Sequence, residues 1–400
     1  MLTDLGAGIV SGASDNDPTT VATLAVVGST TTYALSWLVV LIVPMLAVVQ
    51  SIAARCGAVS KRGLEHAVKE RYGRGWALVM LAAVLAVTVL TLAADLEGGA
   101  AALGLLTHID YRWFVLPFAA VSAALLIWGR YRTIAGVLQY VALLFFAYVI
   151  AVVAAHPNWA EVARATFLPH WPTSKDEVAG AVALLGTTLT SYAYVWETIE
   201  VAHDRPPLAR LGLVQVDAVI GTLFAGAIFW CIVICTGATL GTHHHIVSTT
   251  EEAARALEPI AGRYASLLFG IGLLASAMLA VPVLAGTSAY VIAEAFGWRA
   301  SLDARFARAR AFYVALVIGI GLATAIAYLG IKPIALLFAA SIAGGFGTPV
   351  TLTLMLLIAR DRRTMKGHHI GGRTLAAGWA VNAIVIAACA TYFVQTLRGG

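Results

Sequence analysis

The chain of 400 residues is 60% hydrophobic and 12% charged, with a mean hydropathy of +0.85. Soluble domains carry roughly 25% charged residues, so the composition excludes a soluble globular domain and describes a polytopic membrane protein. The surplus positive charge, +5 with a pI of 9.1, is accounted for by loop arginines that set topology rather than by nucleic-acid binding.

Apolar runs separated by polar punctuation predict about eleven spans of roughly 20 residues each. Their limits are 5–29, 33–55, 76–106, 112–129, 133–155, 178–202, 211–239, 262–296, 309–329, 331–358 and 374–397. Met1 to Val10 lacks a basic region, so no cleavable signal peptide is expected. Loops following even-numbered spans hold 19 of the 26 Lys and Arg residues, including Arg55, Lys61, Arg62, Arg360, Arg362 and Arg363. The positive-inside rule then places the N-terminus in the cytoplasm and, with an odd number of spans, the C-terminus outside, in a cell (inner) membrane. Basic residues from Arg299 to Arg310 and from Arg360 to Arg363 read as anchors near anionic lipid headgroups.

Span 1 contains Asp15-Asn16-Asp17-Pro18-Thr19-Thr20. An ionisable residue at membrane depth costs several kcal/mol unless it faces a cavity, a partner or an ion. Pro18 lacks the N–H that continues a helix and drives Asp17 out of helical dihedrals, so a break is predicted here. Span 3 adds Asp95 and Glu97, whose i, i+2 spacing sends them to different helix faces. Span 6 reads Gly186-Thr187-Thr188-Leu189-Thr190-Ser191-Tyr192, crowded with hydroxyls that either back-bond to i−4 carbonyls or support an unwound turn. Two interrupted spans five apart match an inverted 5+5 repeat with an ion site between the breaks, its halves at about 5–155 and 178–358 and an extra span at 374–397. The whole chain, 1–400, is expected to form one transmembrane domain.

Asp15, Asp17, Asp95, Glu97, Glu197, Glu200 and Asp217 make the span interiors acidic while the loops are basic. Buried carboxylates must be protonated, hydrogen-bonded or neutralised by a cation, so a cation pathway follows. Glu197 and Glu200 read either as part of an aqueous path or as a pair near the membrane end, and Asp217 as a buried hydrogen-bonding partner or an ion ligand. His243-His244-His245 and His368-His369 fall in predicted loops, where solvated histidines are the ordinary case. Cys231 and Cys235 share a helix face at i, i+4, which suits either packing or a soft-metal pair. No GxxxxGK[ST] motif occurs, and no HExxH or GxSxG motif lies in a span, so neither nucleotide binding nor an enzymatic function is expected.

Gly6-Ala7-Gly8 through Asp17-Pro18-Thr19-Thr20-Val21-Ala22-Thr23, Tyr33-Ala34-Leu35 and Gln50 through Arg55 resemble the first two spans of NRAMP metal-ion transporters, whose break reads D-P-G-N-x-A-T. Leu273-Leu274-Ala275-Ser276 with Ala285-Gly286-Thr287 is similar to the family's span 8. Gly347-Thr348-Pro349 and Asp361-Arg362-Arg363 resemble the end of span 10 and its loop. The resemblance implies an all-α, LeuT-type fold, with spans 1 and 6 broken at the midplane, and divalent-metal import by alternating access. It puts Asp17 at the family's metal-binding Asp, Thr20 at the Asn, Thr190 at the Met, and Ser14 and Thr187 at backbone-carbonyl positions; Tyr192 replaces the motif histidine. Asp15 and Asn16 are further possible ligands, Tyr192 and Glu197 lie on a possible path, and Asp95 and Glu97 on a possible proton path.

With the Met gone, every remaining candidate ligand is an oxygen, which suits hard cations. Mg2+ binds through one or two carboxylates while keeping several waters. The resemblance is greatest to the NRAMP-related magnesium transporters, which also lack the Met. The expectation is therefore a Mg2+ carrier, with Mn2+ as second substrate, weak or absent proton coupling, and no resident cofactor. The alternatives are a conventional proton-coupled Mn2+/Fe2+ carrier and a non-transporting membrane metal sensor. Besides the ion, membrane lipid is the expected partner.

Overall fold

The computed structural model describes residues 16–128, 143–204, 211–300, 302 and 306–398, and among them the regular structure is entirely helical. Eight of these helical segments are long and apolar enough to cross a membrane. Pro18–Thr31 (α1) is the part of span 1 that follows the predicted break; the residues before it lie outside the described set. Ser36–Ser60 (α2) and Arg74–Thr107 (α4) flank a short helix, Leu64–Tyr72 (α3), and Arg112–Trp128 (α5) follows. Ala147–Ala154 (α6) and Trp159–Phe167 (α7) lead to the two halves of span 6, Lys175–Thr188 (α8) and Ser191–Asp204 (α9). The second half continues with Leu211–Thr239 (α10), the short Thr250–Arg255 (α11) and Glu258–Ala261 (α12), then Ala265–Phe296 (α13), Arg310–Ala327 (α14), Pro333–Arg360 (α15) and Gly372–Leu397 (α16).

Helix starts follow capping chemistry. Ser174 and Glu177 form a capping box at α8, and Thr249 with Glu252 forms another at α11. The link between spans 2 and 3, a basic loop by sequence, instead folds as α3. Its Leu64, Ala67 and Val68 recur at i, i+3 and i+4 and are buried against the bundle.

α1 lies at the centre, packed against α8, α10, α15 and α4. The most extensive helix pair is α4 with α13, and α8 packs closely on α15. That last contact requires glycine: a Cβ on Gly186 would lie 1.9 Å from the Ser341 carbonyl oxygen, and one on Gly344 would lie 2.6 Å from the Gly186 oxygen. Small residues let backbones approach closely where no hydrophobic drive exists between helices in lipid. Large side chains left exposed, including Trp113, Trp128, Leu223, Ile318 and Phe393, suit lipid contact. α16 packs on α15 and is the least enclosed of the long helices.

Gly186→Ala is expected to destabilise the protein by about 1–3 kcal/mol through overpacking, read as a lowered midpoint of thermal unfolding. Gly75→Ala, where a Cβ meets nothing within 4 Å, serves as the comparison and should be neutral or slightly stabilising.

Candidate metal-binding site

The break in span 1 takes the form that Pro18 dictates. Asp17 is extended, with φ −68° and ψ 162°, and its side chain caps the helix that begins at Pro18. Asp17 Oδ1 accepts the Thr20 N–H at 2.6 Å, which is the N-cap geometry that offsets an orphan donor of the first turn. Ser276 of α13 donates its hydroxyl to the Asn16 carbonyl just ahead of the break.

The break in span 6 forms without proline. α8 ends at Thr188, Leu189 leaves helical geometry with ψ 28°, and α9 begins at Ser191. Thr348 of α15 donates its hydroxyl to the Leu189 carbonyl at 2.8 Å, and the Ala193 N–H donates to the Thr190 carbonyl at 3.2 Å. Both behaviours anticipated for the hydroxyls are present, since Thr188 Oγ1 back-bonds to the Leu184 carbonyl at 2.6 Å.

One hydrogen-bonded chain joins the two breaks. The Tyr192 hydroxyl donates to Asp17 Oδ2. Thr20 Oγ1 and Thr187 Oγ1 lie 2.9 Å apart, linking the first turn of α1 to the last turn of α8. On the other side of α1, Asp95 Oδ1 accepts both the Thr19 N–H at 3.1 Å and the Thr19 hydroxyl at 2.5 Å. Two carboxylates thus sit at the positive end of one helix, where its dipole and free N–H groups favour negative charge. Among the described residues neither is in an ion pair with Lys, Arg or His.

Uncommitted oxygens surround this chain. Asp95 Oδ2, Thr190 Oγ1 and Ser191 Oγ are buried and lack hydrogen-bond partners among the described residues. Asp17 is 5% exposed and Asn16 is fully buried. The last carbonyls of α8 also have no continuing helix to bond them. Each carboxylate oxygen has lone pairs beyond the one it uses, so the assembly can offer carboxylate, hydroxyl and carbonyl oxygens to a cation. Among the described residues no group of three or more His, Cys, Asp or Glu has the arrangement of a metal cluster.

The structure therefore gathers Asn16, Asp17, Thr20, Thr187, Thr190 and Tyr192 around the breaks and sets Asp95 against the same helix end. Ser14 and Asp15 lie outside the described residues. Glu97 points away from Asp95's neighbours, toward Tyr111 and Arg112. Glu197 is half-buried further along α9, and Glu200 is exposed. The side chain of Asp217 lies outside the described residues. His243, His244 and His245 are exposed, as are His368 and His369. Cys231 and Cys235 are free thiols, and Cys235 donates to the Ala256 carbonyl at 2.9 Å.

Ser276 and Thr348 sit in motifs noted in the sequence, but their work as donors to unwound carbonyls depends on tertiary contact. Pro349, next to Thr348, leaves the Gly345 carbonyl without its helical donor, and the Cys389 thiol of α16 occupies it at 3.2 Å.

Comparison with known proteins follows the same lines. The divalent metal cation transporter MntH of Deinococcus radiodurans is 28% identical over 414 residues, covering 99% of this chain and 90% of its own length. The crystal structure of the Eremococcus coleocola manganese transporter, in complex with an aromatic bis-isothiourea substituted compound, superposes with a TM-score of 0.74 at 16% identity, over 99% of this chain and 88% of that one. Mhp1 in an inward-facing conformation gives a TM-score of 0.61 at 12% identity, over 99% and 91% of the two chains. These two structures share the fold. The family model for natural resistance-associated macrophage protein-like (Nramp) proteins matches residues 8–395, and the chain belongs to that family.

Proposed function

We propose that this protein imports divalent metal cations by alternating access, with Mg2+ as preferred ion and Mn2+ as second substrate, and with weak or no proton coupling. The metal-carrying function is supported by family membership and by relatives described as divalent metal cation transporters. The preference for hard ions rests on one observation: the donors around the two breaks are oxygens only, with Thr190 where the family resemblance expects Met. In this reading Asp17 neutralises the ion, while Thr20, Thr190, Ser14 and the Thr187 region bind it or orient its remaining waters. The Tyr192 phenol donates to Asp17 Oδ2 and so competes with the ion for that oxygen. A phenol at position 192 stands where the family motif has a histidine, the side chain that ordinarily serves a proton relay. The halves 5–155 and 178–358 act as the inverted repeats, with 374–397 outside them, in one domain spanning 1–400. The arginine-rich loops face the cytoplasm, and the N-terminus lies with them.

A second reading, a proton-coupled Mn2+/Fe2+ carrier, is favoured by Asp95, whose buried Oδ2 has no hydrogen-bond partner among the described residues and lies beside the first turn of α1. Uptake by purified protein in liposomes separates the two. The hard-ion reading expects Mg2+ uptake that Mn2+ competes with and that does not acidify the lumen. Mn2+ uptake with proton entry and no competition from Mg2+ contradicts it.

Two substitutions test the donor set. Thr190→Met should move preference from Mg2+ toward Mn2+ or Cd2+ in competition assays, because it restores a soft ligand; unchanged preference means that residue 190 does not touch the ion. Tyr192→Phe removes the donor that competes for Asp17 Oδ2 and should tighten divalent-ion binding by about tenfold in calorimetry, the worth of one hydrogen bond to a charged group. Weaker binding in Tyr192→Phe shows instead that the phenol assists the ion.

A further inference from the structure

The short helix α3 holds the remaining anomaly. Glu65, in its first turn, is fully buried, and neither carboxylate oxygen has a hydrogen-bond partner among the described residues. A charged carboxylate in that state lacks both a counter-ion and a donor, which costs several kcal/mol. A second acid stands close by. Glu294, at the end of α13, accepts the His66 N–H of α3 at 3.2 Å. It also presses against Gly63, where a Cβ would lie 2.1 Å from Glu294 Oε1, so a larger residue there would have to push the Glu294 carboxylate aside.

The basic residues nearby are mostly committed elsewhere. Lys69, on α3 itself, donates to the Ala295 carbonyl at 2.6 Å. Arg62 contacts His66 and lies 4.0 Å from Glu70. Arg71 pairs with Asp361, beyond the end of α15, at 2.9 Å. α4 contributes Arg74 at its start, and α9 carries Glu197, Glu200 and His203 around its contact residue Thr198. Of the charges on these elements, Glu294 and Lys69 are the ones that bear on Glu65.

The same helix end braces the half-helix that follows the span 6 break. The Leu64 N–H donates to Thr198 Oγ1 of α9 at 3.2 Å. Gly57 of α2 lies flat on the same turn, with a Cβ there only 2.5 Å from the Thr198 carbonyl oxygen. For α9 to swing away from α2 and α3, both contacts must part.

We propose that Glu65 and Glu294 form a proton-binding site that fastens α3 to α9 and α13, so that one proton taken from the water on the arginine-rich side holds that face of the bundle closed. A proton on Glu65 removes both its repulsion from the neighbouring Glu294 and the cost of a buried charge that no donor meets. Burial first, and the neighbouring Glu294 second, push Glu65 up to about 8, with Lys69 opposing. An undocked Glu65 exposed to water titrates near its ordinary value, so the docked form binds the proton more tightly. Docking is therefore strongest at low pH, weakens as pH rises above the ordinary carboxylate range, and reaches its minimum above about pH 8. The site is separate from Asp17 and requires only that α9 moves during the cycle, whichever divalent ion is carried.

Amide hydrogen exchange on the full-length protein in lipid nanodiscs, without metal, tests this. Protection factors for residues 63–72, corrected for intrinsic exchange, should fall by about tenfold between roughly pH 7 and 9 in the unaltered chain, as one proton is lost. Glu65→Gln, a neutral isostere of the protonated acid, should stay protected across that interval. Glu294→Gln, which removes the like charge, should keep the fall but move it to lower pH. Protection that does not change with pH in the unaltered chain overturns the proposal, as does the same fall in Glu65→Gln or an unmoved midpoint in Glu294→Gln.

Discussion

Backbone that leaves the helix inside a bilayer finds no water to bond, and every unwound N–H and carbonyl must be satisfied by protein. The centre of this bundle is arranged around that constraint. The Asp17 carboxylate takes the Thr20 N–H, Ser276 serves the Asn16 carbonyl, and Thr348 serves the Leu189 carbonyl. The donors come from α13 and α15, so the breaks persist only while those helices pack beside α1 and α8. The close approach of α8 to α15 at Gly186 is what brings Thr348 within reach. Packing of small residues and chemistry at the breaks are one arrangement.

The breaks in turn define the electrostatics. α1 begins in the interior with its positive end facing Asp17 and Asp95, and no basic side chain pairs with either among the described residues. Tyr192 and the threonines share hydrogen bonds across the gap, so hydroxyls that a cation can redirect tie the two breaks together. Oxygen donors of this kind discriminate by charge and hydration rather than by softness, which links residue 190 to the proposed choice between Mg2+ and the softer transition metals.

Much of this was legible in the sequence where a single residue forces a local outcome. Pro18 cannot continue a helix and drives Asp17 out of helical dihedrals, so the start of α1 followed from two adjacent letters. The second break was ambiguous, because threonines serve a continuous helix as well as an interrupted one; Thr188 does the former and Leu189-Thr190 the latter. The i, i+2 spacing of Asp95 and Glu97 correctly sent them to different neighbours. What sequence could not supply was partnership across the bundle. Thr348 and Ser276 stand out in the sequence only as members of motifs, and nothing there shows that they donate to unwound carbonyls. Glu65 sits among charged loop residues and looks solvated, and Glu294 looks like a residue at a membrane boundary; only tertiary packing buries Glu65 and sets Glu294 against Gly63.

The central claim is that one divalent ion binds between the first turn of α1 and the break at 189–190. Anomalous diffraction from crystals grown with Mn2+ tests it most directly. The account predicts a single strong peak beside Asp17, within reach of Thr190 and the end of α8, diminished by excess Mg2+ and absent in Asp17→Ala. A peak at His243–His245 or at Cys231 and Cys235 in its place, or one that survives Asp17→Ala, contradicts it.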